Sequence, residues 1–193
     1  MPREKEFEPD VALADAMDLF WEQGYEATSV QDLVDRMGIN RFSMYDTFGN
    51  KHDLFIKALE RYRKETTSGP IGELKNSPEG LNAIRDYFST MVDHLSGPGG
   101  KKSCLMVNSL AEKAACDDEI STCVMENVTC LENAFRRAIE RAQALGEIKS
   151  DRSPDRLAEF LVTNAFGISV LGKGPINRSR LESTVDTVME ALE

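Results

Sequence analysis

Residues 26–56 read EATSVQDLVDRMGINRFSMYDTFGNKHDLFI, and the punctuation of this stretch decides the fold. Thr28 stands where a helix N-cap belongs, and Gln31 three positions on completes a T-x-x-Q capping box. Val30, Leu33, Val34 and Met37 then recur at helical spacing. Gly38 closes that helix, because glycine enters the left-handed region with no Cβ penalty. Ile39 plugs the turn, and Asn40 caps a second helix over 41–47. Two short helices joined by a tight glycine turn make a helix-turn-helix, whose second helix can enter the major groove of DNA. A further helix starts at Asn50 and carries Lys51, Leu54, Phe55, Ala58, Leu59 and Tyr62.

Helical patterning extends outward in both directions. Over 10–23, Leu13, Ala16, Met17 and Phe20 share one face, with Trp21 beside it. Ser68-Gly69-Pro70 breaks the helix that began at Asn50. Ser77-Pro78, an N-cap followed by proline at the first helical position, opens the next, with Leu81, Ile84, Phe88, Met91 and Leu95 inward. After the Gly97–Gly100 loop come helices over 102–115, from Asp117 to Leu145, from Ser153-Pro154 to Gly172, and over 178–192. Asp117, Asp118 and Glu119 read as charges that stabilise a helix N-terminus. No segment alternates as a strand does. The expectation is an all-α protein of about nine helices: a three-helix helix-turn-helix unit over 1–50 and a larger helical domain over 51–193.

Composition narrows the function. At 193 residues and 41% hydrophobic content, the chain can bury a small domain and a larger one. Its start, MPREKEFEPD, is charged and reads as no signal peptide. No apolar run approaches the roughly 20 residues that cross a bilayer. Four cysteines, at 104, 116, 123 and 130, lack a C-x-x-C pair and suit reduced thiols in a cytoplasm. No cofactor or metal is expected. Neither His52 nor His94 has a plausible nucleophile partner, and no G-x-S-x-G, P-loop or H-E-x-x-H motif occurs, so an enzyme is not expected. Net charge is −10, yet residues 27–64 hold 7 Lys/Arg against 5 Asp/Glu. The acid lies ahead of the reading helix and the base in and after it. Binding of specific DNA sites with little non-specific affinity follows from that distribution.

The stretch resembles the TetR-type transcriptional regulators. The matching residues are Ala16-Met17-Asp18-Leu19-Phe20, Gly24-Tyr25, Thr28-Ser29, the turn from Asp32 to Asn40, Met44-Tyr45-x-x-Phe48, and Lys51-x-x-Leu54-Phe55. The resemblance covers about residues 10–60. Beyond that, only length and helical pattern agree. One departure is the N-terminus. Many members carry a basic arm there, whereas Arg3 and Lys5 here alternate with Glu4, Glu6 and Glu8.

The resemblance implies that Arg41, Phe42, Ser43, Tyr45 and Thr47 lie on or beside DNA. A guanidinium at Arg41 can fork onto guanine O6 and N7, and Phe42 can pack on a thymine methyl. Tyr45 and Thr47 have hydroxyls for phosphate, while Phe48 reads as core and Tyr45 as ring-in, hydroxyl-out. Thr28 and Ser29 sit at a helix N-terminus, where anions bind well. Lys51 and the free N–H groups of its helix are expected to clamp one phosphate. His52 reads as a surface residue. The resemblance further implies a homodimer formed by the last two helices, through Leu157, Phe160, Leu161, Ile168, Leu181, Val185 and Val188. Such a dimer presents two readers to a palindromic operator.

The resemblance also implies a small-molecule effector cavity among the middle helices. Phe88, Met91, Cys104, Val107, Cys123, Phe135 and Phe166 are its candidate lining, with Leu110, Met125 and Leu131 nearby. Cys104 has a second reading. Two lysines, Lys101 and Lys102, precede it at a helix start, and both features favour a thiolate. Family members with a similar G-x-x-x-C-L segment sense oxidants or electrophiles, so Cys104 is the redox-sensing candidate. Its bland reading is a small buried hydrophobe. Cys123 and Cys130 are about 10 Å apart along one helix, too far for a direct disulfide. The functional expectation is a one-component regulator, a repressor by default, released from its operator by an effector or by cysteine modification. The alternative is a helical dimeric ligand- or protein-binding module that keeps the fold but has lost operator binding.

Overall fold

The computed structural model describes residues 7–97, 100 and 102–192. Among them no strand occurs, and ten helices follow one another: α1 Pro9–Gln23, α2 Val30–Met37, α3 Arg41–Phe48, α4 Lys51–Ser68, α5 Pro70–Asn76, α6 Leu81–Ser96, α7 Leu105–Glu112, α8 Asp118–Ala144, α9 Pro154–Gly172 and α10 Arg178–Glu190. They gather into two compact units. The first holds residues up to Lys64 together with Asn108–Val124; the second holds Glu65–Val107 and Met125–Glu193. The boundary expected at residue 50 therefore lies inside the first unit, which takes in most of α4, the end of α7 and the start of α8.

In the first unit, α1 turns Ala12, Ala16, Met17, Leu19 and Phe20 inward. Phe20 meets Phe55 of α4 edge-on at 4.8 Å, and Trp21 meets Tyr62 at 5.0 Å. Burying a phenylalanine contributes on the order of 2–3 kcal/mol, so these rings fasten α1 to α4. Helices α2 and α3, each 8 residues long, are far below the roughly 12–15 residues that persist alone in water. They are held by Leu33, Val34, Met37, Met44 and Phe48, all buried.

The start of α2 corrects the expected cap. Ser29, not Thr28, is the N-cap: its hydroxyl accepts from the Asp32 N–H at 3.1 Å, and the Asp32 carboxylate accepts from the Ser29 N–H at 2.9 Å. The Ser29 hydroxyl first, and then the Ser29 N–H, hold the Asp32 carboxyl below its ordinary pKa. Thr28 is pulled the other way, donating its hydroxyl to the Gly24 carbonyl at 2.6 Å. Gln31 consequently takes no part in the capping box. At the far end Gly38 is left-handed, with φ +64°, as its position after Met37 requires.

In the second unit, Ser68-Gly69-Pro70 does more than break a helix. Proline sits at the start of α5, where its missing N–H removes no bond. Ser77, expected to open the next helix, instead closes α5, donating its N–H to the Glu73 carbonyl at 2.9 Å. Helix α6 begins later, at Leu81, and is capped from a distance: Glu147 accepts from the Leu81 N–H at 2.9 Å. Arg141 of α8 completes the joint. It donates to the carbonyls of Leu74, Lys75 and Glu79 at 2.8, 3.1 and 3.1 Å. One guanidinium thus satisfies the end of α5 and the turn behind it.

Helices α6, α9 and α10 pack together in the same unit. Ion pairs Arg178–Asp93 and Arg85–Asp186 flank the α6–α10 contact at 2.5 and 3.3 Å. This packing corrects the predicted dimer residues. Leu157, Leu161, Ile168, Leu181, Val185 and Val188 are buried in the protomer's own core. Their stripes face their neighbours in the chain, as amphipathic helices of a single core do. Of the seven, only Phe160 is exposed, at 39%, and Val170 and Leu171 of α9 are exposed with it. With Gly167 between them, these residues form one outward stripe on α9.

Replacing Arg141 with methionine keeps the aliphatic packing and removes three donors. We expect a stability loss of about 2 kcal/mol, read as a lower urea midpoint with an unchanged m-value.

Candidate nucleic-acid interface

The geometry of α3 follows from its two ends and its two faces. Asn40 caps it by accepting from the Ser43 N–H at 2.8 Å. Met44 and Phe48, one turn apart, lock the inner face into the core. That leaves Arg41, Phe42, Tyr45 and Asp46 on the outer face, with Ser43 and Thr47 at its edges and half-buried. Phe42 is 80% exposed and Tyr45 48%. Phe42 therefore contributes little to the core and lies open to solvent. Tyr45 is more open than a ring-in placement implies. Arg41 Nη2 donates to Gln31 Oε1 of α2 at 3.0 Å.

The remaining expected contacts divide. Ser29 is exposed, but its hydroxyl is engaged with Asp32, accepting from the Asp32 N–H and hydrogen-bonding the Asp32 carboxylate. Thr28 is fully enclosed and its donor is engaged by Gly24, so its side chain offers nothing to DNA. Lys51 is half-buried, its ammonium 4.3 Å above the Tyr25 ring. Part of the start of its helix is already engaged. Asn50 accepts from the N–H groups of His52 and Asp53 at 2.8 and 3.1 Å, and Asp53 accepts from Asn50 at 2.9 Å. The expected phosphate clamp at Lys51 therefore loses the His52 and Asp53 N–H groups.

His52 is not a loose surface residue. Its Nε2 lies 2.9 Å from Asp117 Oδ2, and its Nδ1 3.8 Å from Glu119. The other Asp117 oxygen caps α8 at the Ile120 N–H, 3.0 Å away. Glu112, at the end of α7, accepts from the N–H groups of Tyr25 and Glu26 at 3.0 and 2.8 Å. Lys113 pairs with Glu26 at 2.6 Å, and that bond holds the Glu26 carboxyl low and raises the lysine. Gly24 makes room for this, since a Cβ there would meet the Glu112 carboxylate at 2.9 Å and its φ is +85°. The α7–α8 junction is thus stitched to the α1–α2 turn and to the start of α4. Glu112, Lys113 and Asp117 carry no sequence signal for this role, because their partners lie 65 to 87 residues away.

In the second unit, Phe88 and Phe135 are fully buried and stack at 5.8 Å, with Tyr87 edge-on to Phe135 at 5.1 Å. Burial is the main cause that raises the Tyr87 hydroxyl's pKa, and Cys104 adds to it. A cleft of about 150 Å³ opens between α5 and α6, walled by Pro70, Leu74, Tyr87, Glu73 and Asp86 among others. None of the seven candidate lining residues is on its wall. Cys123 belongs to the first unit, and Leu110 and Met125 are exposed. Cys104 is half-buried and immediately precedes α7 instead of lying in its first turn; Lys101 is outside the described residues. So are Arg3, Glu4, Lys5 and Glu6. Asn127 Oδ1 is buried on α8 and has no hydrogen-bond partner among the described residues.

Residues 12–58 match a family model described as bacterial regulatory proteins, tetR family, and residues 80–191 match one described as tetracyclin repressor-like, C-terminal domain. The chain belongs to the TetR family. An uncharacterized HTH-type transcriptional regulator of Bacillus subtilis strain 168, YezE, is 34% identical over all of both chains. The HTH-type transcriptional repressor ComR of Escherichia coli K12 is 29% identical, over 97% of this chain and 90% of its own. A cysteine-substituted variant of the TetR-family regulator CifR, solved with 26-base-pair operator DNA, superposes with a TM-score of 0.87 at 28% identity, over 99% of this chain and 100% of its own. This TetR-family chain is a DNA-binding transcriptional regulator and not an enzyme. Among the described residues no helix is long and apolar enough to cross a membrane.

Glu112→Ala removes both acceptors from the α1–α2 turn. Amide hydrogen exchange at Tyr25 and Glu26 should accelerate about fivefold, each bond being worth roughly 1 kcal/mol, while exchange in α9 and α10 stays as it was.

Proposed function

We propose that this TetR-family chain is a cytoplasmic repressor that binds a palindromic operator as a homodimer and is released when its body meets an effector or when Cys104 is modified. One observation carries the operator reading: Arg41, Phe42 and Tyr45 stand out from a capped helix whose other face is locked by Met44 and Phe48. An arginine for guanine and an aromatic for a thymine methyl suit direct reading in the major groove. Arg41, Phe42, Ser43, Tyr45 and Thr47 form the reading face, with Ser29 and Lys51 beside it for phosphate.

The exposed stripe of Phe160, Val170 and Leu171 on α9 supports dimerisation by that helix. An apolar stripe of this kind is what an isologous two-fold contact covers. For the effector, the orphan Asn127 carbonyl oxygen supports a largely apolar molecule bearing one hydrogen-bond donor. A buried acceptor without a partner costs about 1–3 kcal/mol, and a ligand's hydroxyl or N–H would relieve that. Cys104 supports the modification route by position: half-buried, at the entry to α7, beside the Ser103 hydroxyl that anchors to the Ser169 carbonyl at 2.5 Å. Cys123 is unsuited to it, because burial pushes its thiol pKa up.

Mobility shift on the DNA beside the protein's own gene tests the operator reading. A discrete shift that resists competitor DNA is expected, and Arg41→Ala should weaken it by about tenfold to a hundredfold while helicity and dimer survive. Unchanged affinity in that variant would remove Arg41 from the reading face. For the dimer, Phe160→Asp should move the protein from dimer to monomer in light scattering, and a dimer that persists would rule out the α9 stripe. Cys104→Ser should abolish oxidant-induced release; a response equal to the wild type's would reject the sensor.

A further inference from the structure

We propose that Gln31 of α2 is a positioning residue for the base reader Arg41, so that preference at one operator position is set by two helices together. The proposal rests on the reading of α3 given above. Arg41 is the first residue of α3, where its side chain has no preceding turn of the same helix to lie against. An arginine side chain carries about 2 kcal/mol of rotamer entropy, so an unsupported one is a poor instrument for choosing one base. Gln31 supplies the support from across the turn, accepting Arg41 Nη2–H on its Oε1 at 3.0 Å.

The orientation of the Gln31 amide is fixed by its other end. Nε2 donates to Asp35 Oδ1, one helical turn on, at 2.8 Å. A carboxylate accepts only, and a guanidinium donates only. Were the amide reversed, its NH₂ would face the arginine and its oxygen the aspartate, and both bonds would be lost. The chain from Asp35 through Gln31 to Arg41 therefore has one direction. It engages a single hydrogen of five on the guanidinium, leaving donors for the O6 and N7 fork of guanine.

The residue type matters as well. A carboxylate at position 31 would hold the guanidinium, but would set a negative charge against the phosphates and like charge one turn from Asp35. An amide offers the acceptor without the charge. Asp35 is hydrogen-bonded to Gln31, which in turn is hydrogen-bonded to Arg41.

The test uses the full-length protein and a duplex consensus recovered from a random-sequence library, with every single-base variant of that consensus. The proteins compared are wild type, Arg41→Ala, Gln31→Met, Gln31→Glu and the Gln31→Met/Arg41→Ala pair. Gln31→Met, similar in size but with no acceptor, should flatten preference about tenfold at the same base position that Arg41→Ala flattens. Other positions and the salt slope of log K should stay as in the wild type. The pair should be no worse than Arg41→Ala alone, since the two act through one contact. Gln31→Glu should restore the preference while lowering affinity evenly.

A uniform loss with a shallower salt slope would overturn the proposal and make Gln31 a phosphate contact. Loss at a different base position would make it a direct reader, and unchanged preference in Gln31→Met would make the bond incidental. If Arg41→Ala itself kept every preference, or the library gave no consensus, the operator reading would fail, and this proposal with it.

Discussion

An eight-residue helix does not hold itself together in water, and this constraint governs the reader. Too few turns form for hydrogen bonding to outweigh the cost of starting them. Helix α3 exists because Met44 and Phe48 are fixed in a core built by α1, α2 and α4, and because Asn40 satisfies one of its first N–H groups. The same burial turns the opposite residues outward as a set. Arg41, Phe42 and Tyr45 are presented as they are because two apolar side chains one turn apart leave them no other direction. The outward set is thus a by-product of packing, with the turn at Gly38 fixing where the helix begins.

What was legible in the sequence was whatever is local. Gly38 after an apolar helix, Asn40 before the next, Phe48 in step with Met44, and Ser153-Pro154 ahead of α9 are signals within four residues, and each stands as read. One-residue competition was harder: Thr28 and Ser29 are both good caps, and only Gly24, which recruits the Thr28 hydroxyl, decides between them. Ser77-Pro78 failed for a related reason. Its local promise was overridden by Glu147, which caps α6 from 66 residues away. The stripes of α9 and α10 were correctly apolar, but an apolar stripe does not say whether it faces its own chain or another. Leu157 and Phe160 lie on one helix, yet the first is buried in its own protomer and the second is exposed. Glu112 and Lys113 were silent, and Asp117 was legible as a helix-start charge but not as the partner of His52, since no pattern in a chain marks partners so distant.

Charge in the first unit is less available than composition suggests. Lys113 is engaged with Glu26 and lies 5.3 Å from the Tyr25 ring, which Lys51 also covers. Arg36 pairs with Glu22. Of the basic residues over 27–64, Arg36 and Lys51 are thus partly engaged, so the count overstates what a phosphate backbone meets on first approach. An acidic chain with partly engaged cations gains little from indiscriminate electrostatic attraction. More of its discrimination has to come from shape and from base edges, which is consistent with an aromatic, Phe42, set at the front of the reading helix.

The first compact unit is not one stretch of chain. It closes only after the polypeptide has left at Lys64, built part of the second unit, and returned at Asn108 to supply Glu112, Lys113 and Asp117. During synthesis the reader's front half emerges well before the segment that fastens its first turn. Its final form therefore waits on ribosomal progress past residue 124. The same arrangement bears on evolutionary exchange: a helix-turn-helix cut from here at a linear boundary and grafted to another body would arrive with the Tyr25 and Glu26 amides uncovered. A transplant keeps those bonds only if the segment from Asn108 to Val124 travels with it, so two distant stretches of one unit are bound to change together.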